Sequence, residues 1–346
     1  MDENLRVRDV GEFGLIDLLL DALPVEARES AQLSIGIGDD AAVWAPDPGS
    51  QIVLTTDSLV DGVHFRRDWT DWESLGHKIL AVNISDLAAM GAKPALALVT
   101  LCLDGEELVP DLLALYRGMG SLARRFGVAV AGGDIVRSPL GLTFHVSAVG
   151  EARGGKVLTR SGANVGDLIG VSGGLGASAA GLRLLGLSGD DPRRMAATAE
   201  LLIASHLRPE PRVALGQMLL EHGATAAMDL SDGLLGDLPK ILVASEVSAK
   251  LDARRVPAPA AVRALFPDRW LEMTLRGGED YELLFTVPPE RWEAVVLAAA
   301  DIGSPVTAIG EITAAAAGGT TIQAIDLDGE MKTIVPGAFD HFDSGG

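Results

Sequence analysis

Six aspartates have the setting that a magnesium–polyphosphate site requires. Asp40 ends Gly36-Ile37-Gly38-Asp39-Asp40, Asp57 ends Thr55-Thr56-Asp57, Asp134 ends Gly132-Gly133-Asp134, and Asp229 and Asp232 frame Asp229-Leu230-Ser231-Asp232-Gly233. These five are expected where strands and glycine turns finish. The sixth, Asp86, lies in a nearly apolar helical run. A hard cation takes oxygen ligands, and phosphate takes cations and backbone N–H groups, so carboxylates beside flexible backbone serve both. Asp86 needs a partner, because burying a lone carboxylate costs several kcal/mol. A metal ion, an arginine or a network of donors would offset that cost.

Each segment has a plainer reading beside it. Gly36–Ala41 resembles half of a dinucleotide fingerprint, yet Asp39 and Asp40 would repel a pyrophosphate that lacked a metal; alone it reads as a tight acidic turn. Gly133 allows close backbone approach to a phosphate or ribose, or simply a turn. Arg160, in Leu158-Thr159-Arg160-Ser161-Gly162, offers a guanidinium to phosphate oxygens or a surface ion pair. Gly150–Val157 has P-loop spacing, but Val157 replaces the hydroxyl that binds magnesium, so it is rejected as one. Gly174–Ala179 sits as a Rossmann loop does, without a compelling acidic ribose ligand. The six histidines show no metal-ligand spacing. His64, close to Asp61, is the one placed near a candidate strand end.

These residues need elements to carry them, and helix and strand signals alternate along the chain. Expected are helices at Glu12–Leu23, Trp72–Met90 (closed by Gly91) and Leu108–Phe126, and strands at Ile52–Thr56, Ala95–Leu103, Val128–Ala131 and Leu142–Val149. A polar, glycine-containing stretch at Glu151–Lys156 suggests a domain junction, dividing the chain into 1–150 and 151–346. Beyond it come a strand at Leu168–Val171, helices near 177–186, 193–205 and 211–222, a strand at Ala226–Leu230 and a helix at Leu234–Ala244. A strand–helix–strand series at Leu283–Val287, Glu290–Ala300 and Val306–Gly310 follows, and Ala314–Gly319 reads as an exposed turn.

The 346 residues allow two domains, and a hydrophobic share of 48% allows each a core. A formal charge of −20 argues against a nucleic-acid surface, but not against an anionic substrate carried with metal. The single cysteine, Cys102, sits in an apolar strand and excludes an intramolecular disulfide. Met1-Asp2-Glu3-Asn4 lacks the start of a signal peptide, and no run is long and apolar enough for a membrane span. A soluble, cytoplasmic protein is expected.

Taken together, the segments resemble a known family. Gly11-Glu12-Phe13, Gly36–Asp40, Thr55-Thr56-Asp57 with Gly62-Val63-His64-Phe65, Ala81–Ala92, Ala131–Asp134, Leu158–Gly162, Asp229–Gly233, Gly277–Leu283 and Phe339–Phe342 run in the order found in the thiamine-monophosphate kinases. These belong to the aminoimidazole-ribonucleotide-synthetase-like ATP-binding group. The resemblance implies a two-domain α+β fold of that group, with mixed sheets flanked by helices. It implies a homodimer whose N-terminal sheets pair, an N-terminal ATP/Mg-binding domain and a C-terminal domain completing the active site. ATP would be co-substrate and thiamine monophosphate the acceptor, with several Mg²⁺ ions as cofactors and neither nucleic acid nor membrane as partner. Asp40, Thr55, Thr56, Asp57, Asp86, Asp134, Asp229 and Asp232 match the family's magnesium-site residues. Gly133, Asp134, Arg160, Ser231 and Tyr116 match ATP contacts, and His64, Glu279 and Phe339 match substrate contacts. Asp57, Asp134, Asp232 and Arg160 would be the catalytic set. Sibling families fit less well: a selenophosphate synthetase would have a reactive N-terminal cysteine or selenocysteine with a lysine, and the hydrogenase-maturation relative a cysteine-containing tail.

An acceptor that is already a phosphate has a second pKa of about 6. It is mostly dianionic near neutrality and needs no strong general base. The obstacle is repulsion between polyanions, which magnesium can screen while aligning the oxygens for direct in-line transfer. Three other readings stay open: a related ATP-dependent enzyme with another small acceptor, a non-catalytic phosphate or nucleotide sensor, and a nicotinamide oxidoreductase resting on the loop at 173–176.

Overall fold

The computed structural model describes residues 2–315 and 319–334. Phe339 and the rest of the Phe339–Phe342 segment lie outside these residues. The chain divides into two compact units, residues 1–87 with 92–156 and residues 88–91 with 157–346.

The first unit contains α1 (Val7–Ala22), a short ribbon of β1 (Leu33–Ile35) and β2 (Val43–Trp44), then β3 (Gln51–Val60), α2 (Trp72–Ala89), β4 (Lys93–Leu103), α3 (Val109–Phe126), β5 (Ala129–Arg137) and β6 (Thr143–Ala152). Its four-stranded sheet has the order β3-β6-β4-β5. The β4–β5 pair is parallel and the others are antiparallel, so the sheet is mixed. Period-two alternation gives it two unlike faces. Val53, Leu59, Val99, Leu101, Phe144 and Val146 are buried, whereas Ile52, Leu54 and Leu98 are exposed.

Helix α2 begins where the Asp71 carboxylate accepts the Ser74 N–H at 2.8 Å, an N-cap bond that satisfies one orphan donor. Leu75, Ile79, Leu80, Val82, Ile84 and Leu87 are all buried, which agrees with the all-round apolar pattern. Helix α3 crosses it at backbone contact. A Cβ added at Gly76 would stand 1.8 Å from the Leu115 carbonyl oxygen, and one added at Gly118 would stand 1.9 Å from that of Glu73. Each helix thus presents a glycine to the other's carbonyl.

The second unit contains β7 (Leu168–Ser172), α4 (Ala177–Leu185), α5 (Ala199–Leu207), α6 (Val213–Glu221), β8 (Ala226–Asp229), α7 (Leu234–Ala244), β9 (Val247–Asp252), α8 (Ala260–Leu265), α9 (Trp270–Arg276), β10 (Leu283–Val287), α10 (Pro289–Asp301), β11 (Val306–Ala314), β12 (Ile322–Ile325) and β13 (Met331–Ile334). Among the described residues its sheet has seven strands in the order β13-β12-β9-β11-β7-β10-β8. Only the β12–β9 pair is parallel. Ile169, Val171, Met228, Leu235, Leu238, Leu251 and Ile309 belong to one of its cores.

Two expectations about strand ends need correction. Asp57 and Asp134 lie inside strands, because Ser58-Leu59-Val60 and Ile135-Val136-Arg137 continue the pairing beyond them. Asp229 does end its strand.

Gly76→Ala tests the helix crossing. It is expected to lower unfolding free energy by about 1–3 kcal/mol or more, the usual range for overpacking, in a thermal or denaturant melt. An exposed control such as Gly49→Ala in the turn before β3 reports only its local backbone cost.

Candidate functional site

In the first unit the structure brings Thr55, Asp57 and Asp86 together. Thr55 and Asp57 are two apart on β3 and share its inward face, toward α2. The Thr55 hydroxyl donates to Asp86 Oδ2 at 2.5 Å. Burial, and then the Asp86 charge, push Asp57 up to about 6 from an ordinary 3.8. The neighbouring Asp86 carboxylate thus adds to the cost of ionising Asp57.

Thr56 and Asp134 fall on the other face of the same sheet. The Thr56 hydroxyl donates to the Val146 carbonyl at 3.1 Å and accepts from Ser147 at 3.0 Å. Asp134 is in register with Thr100, which pairs with His145, which pairs with Ser58. Burial and the Asp134 charge both raise the thiol pKa of Cys102, which shares that face. Gly133 has no room for a side chain: a Cβ there would lie 1.8 Å from the Val99 carbonyl oxygen. Its glycine is therefore required by the neighbouring strand, whatever else approaches it.

Asp40 is exposed at the hairpin tip between β1 and β2, where its N–H donates to the Asp39 carboxylate at 2.9 Å. His64 sits in the tight turn after β3, its Nδ1 accepting the Val60 N–H at 3.1 Å. Tyr116 is buried in α3, and burial lifts its phenol above the usual range.

In the second unit the two polar motifs meet. The Glu279 N–H donates to the Ser231 carbonyl at 2.8 Å and the Tyr281 N–H to the Leu230 carbonyl at 3.0 Å, so Gly277–Leu283 is laced to Asp229–Gly233. Glu279 and Tyr281 have φ of 62° and 51°, left-handed conformations that cost a non-glycine residue of order 1 kcal/mol or more. Flanking carboxylates hold the loop in that shape. Asp280 accepts from the Gly176 and Ser178 N–H groups at the start of α4, at 2.6 and 3.0 Å, and burial still pushes it up to about 7. Glu282 accepts two bonds from Arg212, at 2.8 and 2.5 Å. Behind the loop, Asp280, Glu282, Arg208, Glu210 and Arg212 line a cavity of about 370 Å³. The Glu279 carboxylate stands 3.3 Å from His206 Nδ1. Asp229 is buried at the end of β8, and the carbonyl of Thr159, beside the exposed Arg160, accepts the Ala227 N–H of that strand at 2.9 Å.

Among the described residues no group of three or more His, Cys, Asp or Glu is close enough to hold a metal ion. Within the first unit the inward-facing carboxylates, Asp57 and Asp86, stand as a pair. The donors nevertheless fit magnesium chemically. Thr55, Asp57 and Asp86 offer only hard oxygens, and Mg²⁺ commonly takes one or two carboxylates and fills its shell with water and phosphate. Sequence reasoning missed Asp237, Lys240, Asp280 and Arg212, which shape the second unit's loops. The i,i+3 spacing of Asp237 and Lys240 was the available signal.

Comparison with known proteins accords with this arrangement. Residues 38–152 match the model for the AIR synthase related protein N-terminal domain, and residues 164–323 the model for the corresponding C-terminal domain. A thiamine-monophosphate kinase of Escherichia coli is 40% identical over 338 residues, covering 96% of this chain and 98% of the relative. The chain belongs to the thiamine-monophosphate kinase family. Another such kinase, from Bacillus subtilis, is 37% identical over 86% of this chain and 90% of its own. The crystal structure of thiamine-monophosphate kinase from Stenotrophomonas maltophilia superposes with a TM-score of 0.79 at 38% identity, covering 93% of this chain and 98% of that one. AaThiL complexed with AMPPCP and TMP gives a TM-score of 0.73 at 33% identity, over 98% and 99% of the two chains. Among the described residues no helix is long and apolar enough to cross a membrane.

Asp57 yields a test with opposite signs. Its folded pKa of about 6 lies above the ordinary 3.8, so the folded state holds the extra proton between those values and stability falls as pH rises through them. In metal-free protein at neutral pH, Asp57→Asn is expected to raise the melting temperature by roughly 2–4 °C. The same variant is expected to lose kinase turnover by roughly 100-fold.

Proposed function

We propose that this protein transfers the γ-phosphoryl group of ATP to thiamine monophosphate, giving thiamine diphosphate and ADP. Family membership over nearly the full chain carries this reading. AaThiL, bound to a nucleotide analogue and TMP, supports both substrates.

The chain's own residues have distinct tasks in this reading. Asp57 and Asp86, with the Thr55 hydroxyl, would hold one cation, and Asp40, Thr56, Asp134, Asp229 and Asp232 would serve further Mg²⁺ ions. Bound Mg²⁺ would screen the two polyanions and polarise the transferring group. Ser231 and Gly133 would supply contacts to ATP, with Tyr116 on the adenine side. Arg160 is exposed and carries a planar guanidinium suited to phosphate oxygens. His64, Glu279 and Phe339 read the acceptor. Glu279 is suited to that task because its backbone is held by the Ser231 bond while its carboxylate, 3.3 Å from His206 Nδ1, stays partly exposed. The acceptor is a dianion near neutrality, so no residue has to remove a proton from it. Its attack on the γ-phosphorus is direct, without a phosphoenzyme.

The N-terminal unit is the ATP- and magnesium-binding and dimerisation domain in this reading, and the C-terminal unit supplies the remaining contacts. Ile52, Leu54, Leu98 and Val136 are exposed on the unit's sheet, with Leu54 at 71%, and a second copy would cover them. This reading is of a homodimer in the cytoplasm.

Thiamine diphosphate formation from thiamine monophosphate, ATP and Mg²⁺ tests the central claim directly. No product from folded protein, with ADP released on another small acceptor, would transfer the reading to a sibling activity. Arg160→Ala is expected to reduce kcat/KM for ATP by roughly 10- to 100-fold, corresponding to about 1.4–2.7 kcal/mol. Leu54→Glu is expected to convert the dimer to monomer in analytical ultracentrifugation.

A further inference from the structure

Helix α7 carries a closed ring of hydrogen bonds that leads back to Asp232. The Asp232 N–H donates to Asp237 Oδ2 at 2.9 Å. The Lys240 ammonium donates to Asp237 Oδ1 at 2.7 Å and to Asp232 Oδ2 at 2.5 Å. Asp237 and Lys240 are three residues apart and so share a face of the helix. The Asp237 side chain is fully buried, while the Asp232 side chain remains 31% exposed. A buried carboxylate holding one backbone N–H and one ammonium is a rigid anchor, because releasing either partner leaves desolvated charge behind. Asp232 is therefore fixed twice, through its amide and through one carboxylate oxygen.

We propose that Lys240, anchored by Asp237, is a positioning residue that restricts Asp232 to one-oxygen coordination and thereby favours Mg²⁺ over Ca²⁺ there. This rests on the reading of Asp232 as a cation ligand. With Oδ2 bonded to the ammonium, Oδ1 is the oxygen left to offer. Magnesium, small and octahedral, accepts single oxygens and keeps its waters. Calcium takes more oxygens in a looser shell and gains from bidentate carboxylates. The ammonium charge weakens any divalent ion at this carboxylate, whichever ion is bound. The ratio of the two affinities is thus the quantity that separates geometry from charge.

The test compares wild type with Lys240→Met, which keeps the aliphatic stem and removes the donor. Both full-length proteins are saturated with a non-hydrolysable ATP analogue. Mg²⁺ and Ca²⁺ are then titrated against protein-bound Mn²⁺, with free Mn²⁺ read by electron paramagnetic resonance. The Ca²⁺-to-Mg²⁺ affinity ratio is expected to rise by roughly tenfold in K240M. Lys240→Arg, which keeps a charged donor, is expected to retain the wild-type ratio. A folded K240M with an unchanged ratio overturns the inference, since a merely structural role lowers the melting temperature and leaves the ratio alone. Should K240M not fold, Lys240→Leu takes its place, since it too lacks a donor: the same rise in the ratio is expected, and an unchanged ratio overturns the inference equally. Asp232→Asn is the separate control: if it binds Mn²⁺ as wild type does, the reading of Asp232 as a ligand fails, independently of Lys240.

Discussion

Two acidic side chains on the inward face of one sheet set the character of the N-terminal unit. Asp57 and Asp86 come from a strand and a helix, share partial burial, and have the Thr55 hydroxyl as a common neighbour. Neither is convenient for folding alone. In the proposed function their proximity is that of a cation site, held in advance by the surrounding fold.

The second unit solves a different problem. It presents Glu279, the carboxylate proposed to read the acceptor, from a loop whose backbone is unfavourable for its residue types. It does so by bracketing the strained positions. Asp280 is held by the start of α4, Glu282 by Arg212, and the backbone at 279 and 281 by Leu230 and Ser231. The charged residues most tightly held are thus the ones adjacent to the candidate ligand rather than the ligand itself. Strain placed between fixed points is a way to keep a side chain aimed without burying it.

Much of this is legible in the sequence, and what is not has identifiable reasons. The all-round apolar pattern of 72–90 foretells a buried helix, and Asp86 within it foretells a carboxylate in need of company. The strand and helix at Leu283–Val287 and Leu234–Ala244 are readable to the residue, because turn signals bound both. The ends of β3 and β5 are not, since an aspartate is a poor strand former and its pairing is decided by the neighbouring strand. Thr55 and Thr56 could have been assigned to opposite faces from strand periodicity alone. Strand β9 escapes a sequence reading although Val247, Ala249 and Leu251 alternate with polar residues; its core-facing set is small and its flanks lack strong turn signals. The contacts between Gly277–Leu283 and Asp229–Gly233 join positions some fifty residues apart in the sequence, which no local pattern can report.

The backbone crossing of α2 and α3 has a consequence for how this chain can vary. The contact at Gly76 fixes the helix against sliding, and Asp86 lies ten residues further along the same rigid rod. Each inserted or deleted residue between them would turn the carboxylate by about 100° and shift it by about 1.5 Å. Length changes in this stretch would swing the acid away from Thr55 while leaving the helix intact. Side chains between these points are free to drift within the limits of packing; the number of residues separating them is not.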